Sequence, residues 1–115
     1  MNETHAHEWI GKTETLSDTL NPAPCKALAA TLNRTWDPKE GDRLPPLWHW
    51  LYFLETAQQE ELAADGHRKR GGFLPPVQLP RRMWAGSQIQ FQSPITLGET
   101  LTRQSTIENI RETTG

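Results

Sequence analysis

The sequence has little of what usually announces a function. It carries one cysteine, Cys25, which excludes an internal disulfide and any multi-cysteine metal site and points to a reducing compartment. No apolar run nears the ~20 residues that a membrane-spanning helix needs, so no membrane partner is expected. The opening MNETHAHEWIGK has neither a basic stretch nor an apolar one. No secretory signal is visible in it, and a cytoplasmic location is expected. Apolar residues are also scarce: they make up 35% of the 115 residues, and mean hydropathy is −0.70. A chain of this length is one domain at most. Its five tryptophans must supply much of the burial, and a partner surface, in a homo- or hetero-oligomer, is expected.

Basic charge is not in excess either. A formal net charge of −2 and a pI near 6.1 argue against a general nucleic-acid binder. The charge is unevenly spread, however. Arg68, Lys69, Arg70, Arg81 and Arg82 fall within one short stretch, a positive patch suited to a phosphate or carboxylate ligand of limited size.

The familiar catalytic signatures are missing as well. There is no phosphate loop, HExxH, GxSxG or EF-hand loop, and Gly66, Gly71 and Gly72 do not introduce a strand-to-helix step as a dinucleotide fingerprint would. Pro75, Pro76 and Pro80 form no PxxP pair. His5 and His7 lack the further ligands a metal would need, and no metal site is expected.

Turning to what is present, residues 1–8 are polar and read as a flexible N-terminus ahead of one domain over 9–115. Thr13–Leu20 reads as a short strand or the approach to a helix. Cys25, Leu28, Ala29 and Leu32 recur at i, i+3, i+4 and i+7, which places them on one face of a helix from about Pro22 to Asn33. Asn21 is a suitable cap, and Pro22 suits the first helical position, where its missing N–H is harmless. Leu47–Leu54, LWHWLYFL, reads as a strand covered on both faces. Within it His49 is either an acid/base residue or, more ordinarily, a satisfied and partly buried side chain. Glu55–Ala64 has helix formers but few apolar anchors, so a short solvated helix is expected. Ser87–Gln92 alternates as a half-buried strand should, and Leu101–Ile110 follows as another strand after a turn at Gly98.

Between these elements lies Asp65–Gly86, DGHRKRGGFLPPVQLPRRMWAG, too long for an ordinary connection and apolar enough to pack. Glycines let backbone N–H groups approach an anion, and arginines offer it paired donors. The HRKR run, which includes His67, is also readable as a solvated stretch beside Glu60, Glu61 and Asp65. Arg81 and Arg82, flanked by Leu79, Met83 and Trp84, are harder to read that way, because two charges among apolar residues imply a cleft or a partner.

PPLWHWLYFL (Pro45–Leu54), the Asp65–Gly86 stretch with its GGFLPP and PRRMWAG segments, and IQFQSPITLGETLTRQSTI (Ile89–Ile107) together resemble the N-terminal half of bacterial MaoC-like dehydratases. The resemblance is to the mesaconyl-C4-CoA (3-methylfumaryl-CoA) hydratase group. The F-x-x-P-x-x-x-G-E-T-L step over Phe91–Leu101 resembles the wider hot-dog superfamily. The resemblance implies an α+β hot-dog fold, an antiparallel sheet wrapped around a helix, here incomplete toward its C-terminal end and one half of a double hot-dog.

It also implies reversible addition of water to an α,β-unsaturated acyl-CoA, with no cofactor beyond the CoA of the substrate. The family's D-x-N-x-x-H motif belongs to the other half. Asp37-Pro38 is followed by no Asn and His at that spacing, so no catalytic residue is carried over. This half is then expected to accommodate substrate beside a catalytic half or subunit. Arg70, Arg81 and Arg82 are the candidates for holding CoA phosphates or a free carboxylate, Phe73 and Trp84 for the apolar side, and His49 and His67 are secondary candidates.

Overall fold

The computed structural model describes residues 3–77, 79 and 81–114. Met1, Asn2, Gln78, Pro80 and Gly115, and the side chains of Glu3, Thr4 and His5, lie outside the described residues. Among those described, the chain is α+β, with one α-helix, α1 (Ala23–Thr31), and two strands, β1 (Thr13–Thr19) and β2 (Thr100–Thr106).

β1 and β2 pair antiparallel. Lys12 exchanges with Ile107, Ser17 faces Thr102 and Thr19 faces Thr100, so paired residue numbers sum to a constant. The reason lies in TETLSDT: β-branched and hydroxyl residues alternate with Glu14, Leu16 and Asp18, and only the latter three are half-buried. The exposed row zips across the ladder through hydroxyls, Ser17 to Thr102 at 3.3 Å and Thr19 to Thr100 at 2.9 Å. Such cross-strand pairs contribute roughly 0.2–1 kcal/mol each.

α1 begins as its sequence predicts. Pro22 already has helical torsions, and Asn21 Oδ1 accepts the Ala23 N–H at 3.0 Å. It ends in a Schellman arrangement. Asn33 takes the left-handed conformation (φ 56°), its N–H reaches the Ala30 carbonyl, and the Arg34 N–H reaches that of Ala29. Cys25 and Ala29 bury the inner face, whereas Leu32 stays 53% exposed.

The chain divides into two compact units, one made of the residues up to Thr15, Glu55–Ala85 and from Gln104 on, the other of Leu16–Leu54 and Gly86–Arg103. The second unit holds a core of Leu20, Cys25, Leu44, Tyr52 and Leu97, with Trp36, Trp48, Leu51, Phe53, Ile95 and Leu101 packed on it. In the first unit, Glu3–Trp9 forms a 3-10 helix in which Ala6 is buried.

Two expected strands are corrected. Trp48–Leu51 forms a 3-10 turn, with Leu47 (φ 75°) and Phe53 (φ 58°) left-handed at either side. Its hydrogen bonds are local, Trp50 N–H to Leu47 O and Tyr52 N–H to His49 O. Of the aromatic run, Tyr52 is buried in the core, Trp48, Leu51 and Phe53 pack half-buried against it, and Trp50 and Leu54 stay outside, so no ladder forms. Ser87–Gln92 is likewise irregular, with Phe91 55% exposed. An alternating segment becomes a strand only where another strand meets its edge, and none does among the described residues. The expected helix over Glu55–Ala64 shrinks to a 3-10 turn, Gln59–Glu61, because its apolar anchors are too few. No helix is long and apolar enough to cross a membrane among the described residues.

Candidate functional site

The basic stretch is built on a tight reversal. Ala63 N–H donates to His67 O at 2.7 Å and Lys69 N–H to Glu61 O at 2.8 Å, around a bridge between Leu62 and Arg68. Asp65 Oδ1 accepts the His67 N–H at 3.0 Å, and Gly66 supplies the positive φ of 84° that the reversal needs. His67 Nδ1 lies 3.2 Å from Asp65 Oδ2. The hydrogen bonds that Asp65 accepts from His67, its backbone N–H first, hold the carboxyl below the usual carboxylate range, with the Arg82 charge adding to them.

The five basic residues of the patch divide into distinct roles. Arg68 is committed to acids, Nη1 to Glu55 and Nη2 to Glu61, both at 3.1 Å. These pairs are about half exposed and add little stability, but they neutralise part of the run. Arg70 turns inward: its Nη1 donates to the carbonyls of Val77 and Leu79, so that one guanidinium ties down the segment after the Pro75-Pro76 step. Arg82 Nη2 donates to the Arg68 carbonyl at 3.1 Å. Its Nε is buried and 3.6 Å from Asp65 Oδ2, an ion pair outside hydrogen-bond reach. Arg81 is exposed, with no hydrogen bond or ion pair to a described residue.

Arg70, Arg81 and Arg82 meet in one groove of about 330 Å³, whose apolar wall is Leu74, Pro75, Val77, Leu79 and Met83. Of the residues singled out from sequence, these three come together. Phe73 is half-buried and Trp84 is 77% exposed, and neither is among the groove-lining residues. His67 sits on the preceding turn, and His49 belongs to the other unit. The aliphatic wall falls within Phe73–Gly86, the part of the stretch whose apolar residues read as a packed pocket wall, and Leu74, Val77, Leu79 and Met83 are among those that line the groove. The reading of the HRKR run as a solvated stretch beside acids fits Arg68, which pairs with Glu61, whereas its second partner, Glu55, was not read from the sequence. Among the described residues no cluster of His, Cys, Asp or Glu is arranged to hold a metal ion. The groove is equipped to hold an anion against an apolar body.

Comparison with known proteins gives two findings. A family model, hydroxyacyl-thioester dehydratase type 2, matches residues 47–115. The chain is also similar to the mesaconyl-C(4)-CoA hydratase of Chloroflexus aurantiacus, 46% identical over 108 residues. That alignment covers 93% of this chain and 39% of the relative, so the chain spans less than half of the relative's length. One helix, an antiparallel strand pair and that proportion are consistent with half of a hot-dog protein.

Proposed function

Since the chain belongs to the hydroxyacyl-thioester dehydratase type 2 family, we propose that it is the substrate-accommodating, non-catalytic half of an enoyl-CoA-type hydratase. The reaction is addition of water to an α,β-unsaturated acyl-CoA such as mesaconyl-C4-CoA. Hydroxide joins the β-carbon and a proton joins the α-carbon, which requires an acid/base pair and a polarised thioester carbonyl. In this reading the acid/base pair is supplied by residues outside the 115 of this chain, in a catalytic hot-dog half or subunit. No cofactor is used beyond the CoA of the substrate, and the setting is the reducing cytoplasm, where a buried free thiol such as that of Cys25 persists.

One observation carries the reading: the Arg81 guanidinium, with no hydrogen bond or ion pair to a described residue, stands beside Arg82 in a groove with an aliphatic wall. Arg81 and Arg82 take the CoA phosphates or a free acyl carboxylate. Arg70 adds its charge while holding the wall, and Phe73 and Trp84 extend the apolar surface. The test is kinetic. Arg81→Ala with Arg82→Ala in the full-length protein raises KM for a dicarboxylyl-CoA substrate about tenfold or more and leaves kcat nearly unchanged, as expected when uniform binding is lost. Unchanged kinetics would sink the assignment.

A second reading is favoured by exposed apolar side chains, Met83 at 88% and Leu54 at 76%. They suit a stand-alone hot-dog subunit that pairs with a separate catalytic chain or with itself. The mass of the natural product separates the two: a tandem chain supports the first, a short product that co-purifies with a hydratase subunit supports the second.

A further inference from the structure

His49 and the Phe91-x-x-Pro94 step, singled out from sequence and unused by the proposal above, meet in a groove of the second unit. Its walls are Leu44, Pro45, Pro46, Phe91, Pro94 and Ile95, its volume is about 410 Å³, and Arg43, His49 and the neutral Gln92 and Ser93 supply its polar lining. The size falls in the range of small-molecule sites, roughly 300–1,000 Å³. The groove is preformed. Leu44 N–H donates to Ile95 O and Leu97 N–H to Asp42 O, each at 2.8 Å, around a bridge between Arg43 and Thr96 that ties one wall to the other. Three of the walls are prolines, whose fixed φ limits collapse. His49 meets Phe91 edge-on, with ring centroids 6.4 Å apart.

The polar groups decide what fits. Neither the Arg43 guanidinium nor the His49 imidazole has a hydrogen bond or ion pair with a described residue, and the lining contains no carboxylate to answer them. A guanidinium and an imidazole N–H beside an apolar wall complement a ligand with one carboxylate and a small apolar body.

We propose that this groove binds a short-chain carboxylic acid, its hydrocarbon body against Phe91, Pro94 and Ile95 and its carboxylate on Arg43 and His49. The inference is independent of the arginine groove and of the thioester reading.

Titration of the full-length protein with 2-methylbut-2-enoate, followed by calorimetry and by the His49 ring signals, tests it. Saturable binding is expected, with shifts at His49. Arg43→Ala weakens it about tenfold or more, the size of one charge-assisted contact, Arg43→Lys recovers part, and the corresponding alcohol binds more weakly than the acid. Circular dichroism reports whether Arg43→Ala and His49→Phe remain folded; Arg43 is exposed and its backbone bridge survives the change. Absence of saturable binding overturns the proposal, as does affinity that Arg43→Ala and His49→Phe leave unchanged. Binding lost on Arg81→Ala alone would overturn it too, by moving the carboxylate to the other groove, while leaving the proposed function standing.

Discussion

Tyr52 and Cys25 share a buried polar contact, with Tyr52 Oη 3.2 Å from Cys25 Sγ. The phenol donates to the Asn21 carbonyl at 2.6 Å, so the thiol is left to donate to the phenol oxygen. A single chain of donors thereby ties the aromatic turn to the start of α1.

Tyr52→Phe removes that chain while keeping the ring. Loss of one well-formed hydrogen bond, with the Asn21 carbonyl left without its donor, costs about 1–2 kcal/mol. Urea denaturation of the variant beside the native chain measures it.

The same residue sets an alkaline limit. Burial first, then the adjacent Cys25, pushes the Tyr52 phenol far above its ordinary value. A folded-state pKa raised above the unfolded one means stability that is complete below the unfolded value of about 10 and declines as pH rises beyond it. Thermal denaturation from pH 8 to 11 should show this decline in the native chain and lose most of it in Tyr52→Phe.

At Asp65 the sign is reversed. Its carboxyl is held low in the folded chain, so its contribution is present above the unfolded pKa of about 4 and is lost as pH falls through the lower folded value. Asp65→Asn still offers an oxygen to the His67 N–H and so keeps the turn. The protection factor of the His67 amide, its exchange rate divided into the intrinsic rate at each pH, should fall in acid in the native chain and stay nearly constant in the variant.

Arg70→Ala frees the Val77 and Leu79 carbonyls together. Limited proteolysis should cut faster across 77–82 in this variant, and Arg70→Lys should restore part of the protection. Arg81→Ala, at an exposed site without a described partner, should change stability by less than about 0.5 kcal/mol.

Gly98 has φ of 96°, and a Cβ there would lie 3.2 Å from Glu40 Cγ. The Glu40 side chain can move, so the backbone conformation sets the cost, about 1–2 kcal/mol for Gly98→Ala. Comparison of melting temperatures checks it.

Much of the helix and of the last strand was legible in the residues. Asn21-Pro22 and the Cys25, Leu28, Ala29, Leu32 spacing located α1 within about two residues of its observed ends, and β2 falls inside the alternating Leu101–Ile110 stretch apart from its first residue, Thr100. Of the candidate site, Arg81 and Arg82 were legible because charge amid apolar residues is a local anomaly, and Arg70 as part of a basic run that was also readable as solvated. Their division of labour was not. Whether an arginine binds a ligand or a carbonyl depends on where Val77, Leu79 and Asp65 are folded to, and a linear pattern does not carry that.

Sequence alone determined features whose hydrogen bonds close within a few residues: the helix with its cap and the turn at Gly98. Tertiary structure decided the rest. Leu47–Leu54 and Ser87–Gln92 have strand-like composition, but a strand is completed by a neighbour's edge. With none among the described residues, the aromatic run turned on local hydrogen bonds, with Phe53 N–H reaching Asp18, and buried Tyr52 in the core and Trp48, Leu51 and Phe53 in part.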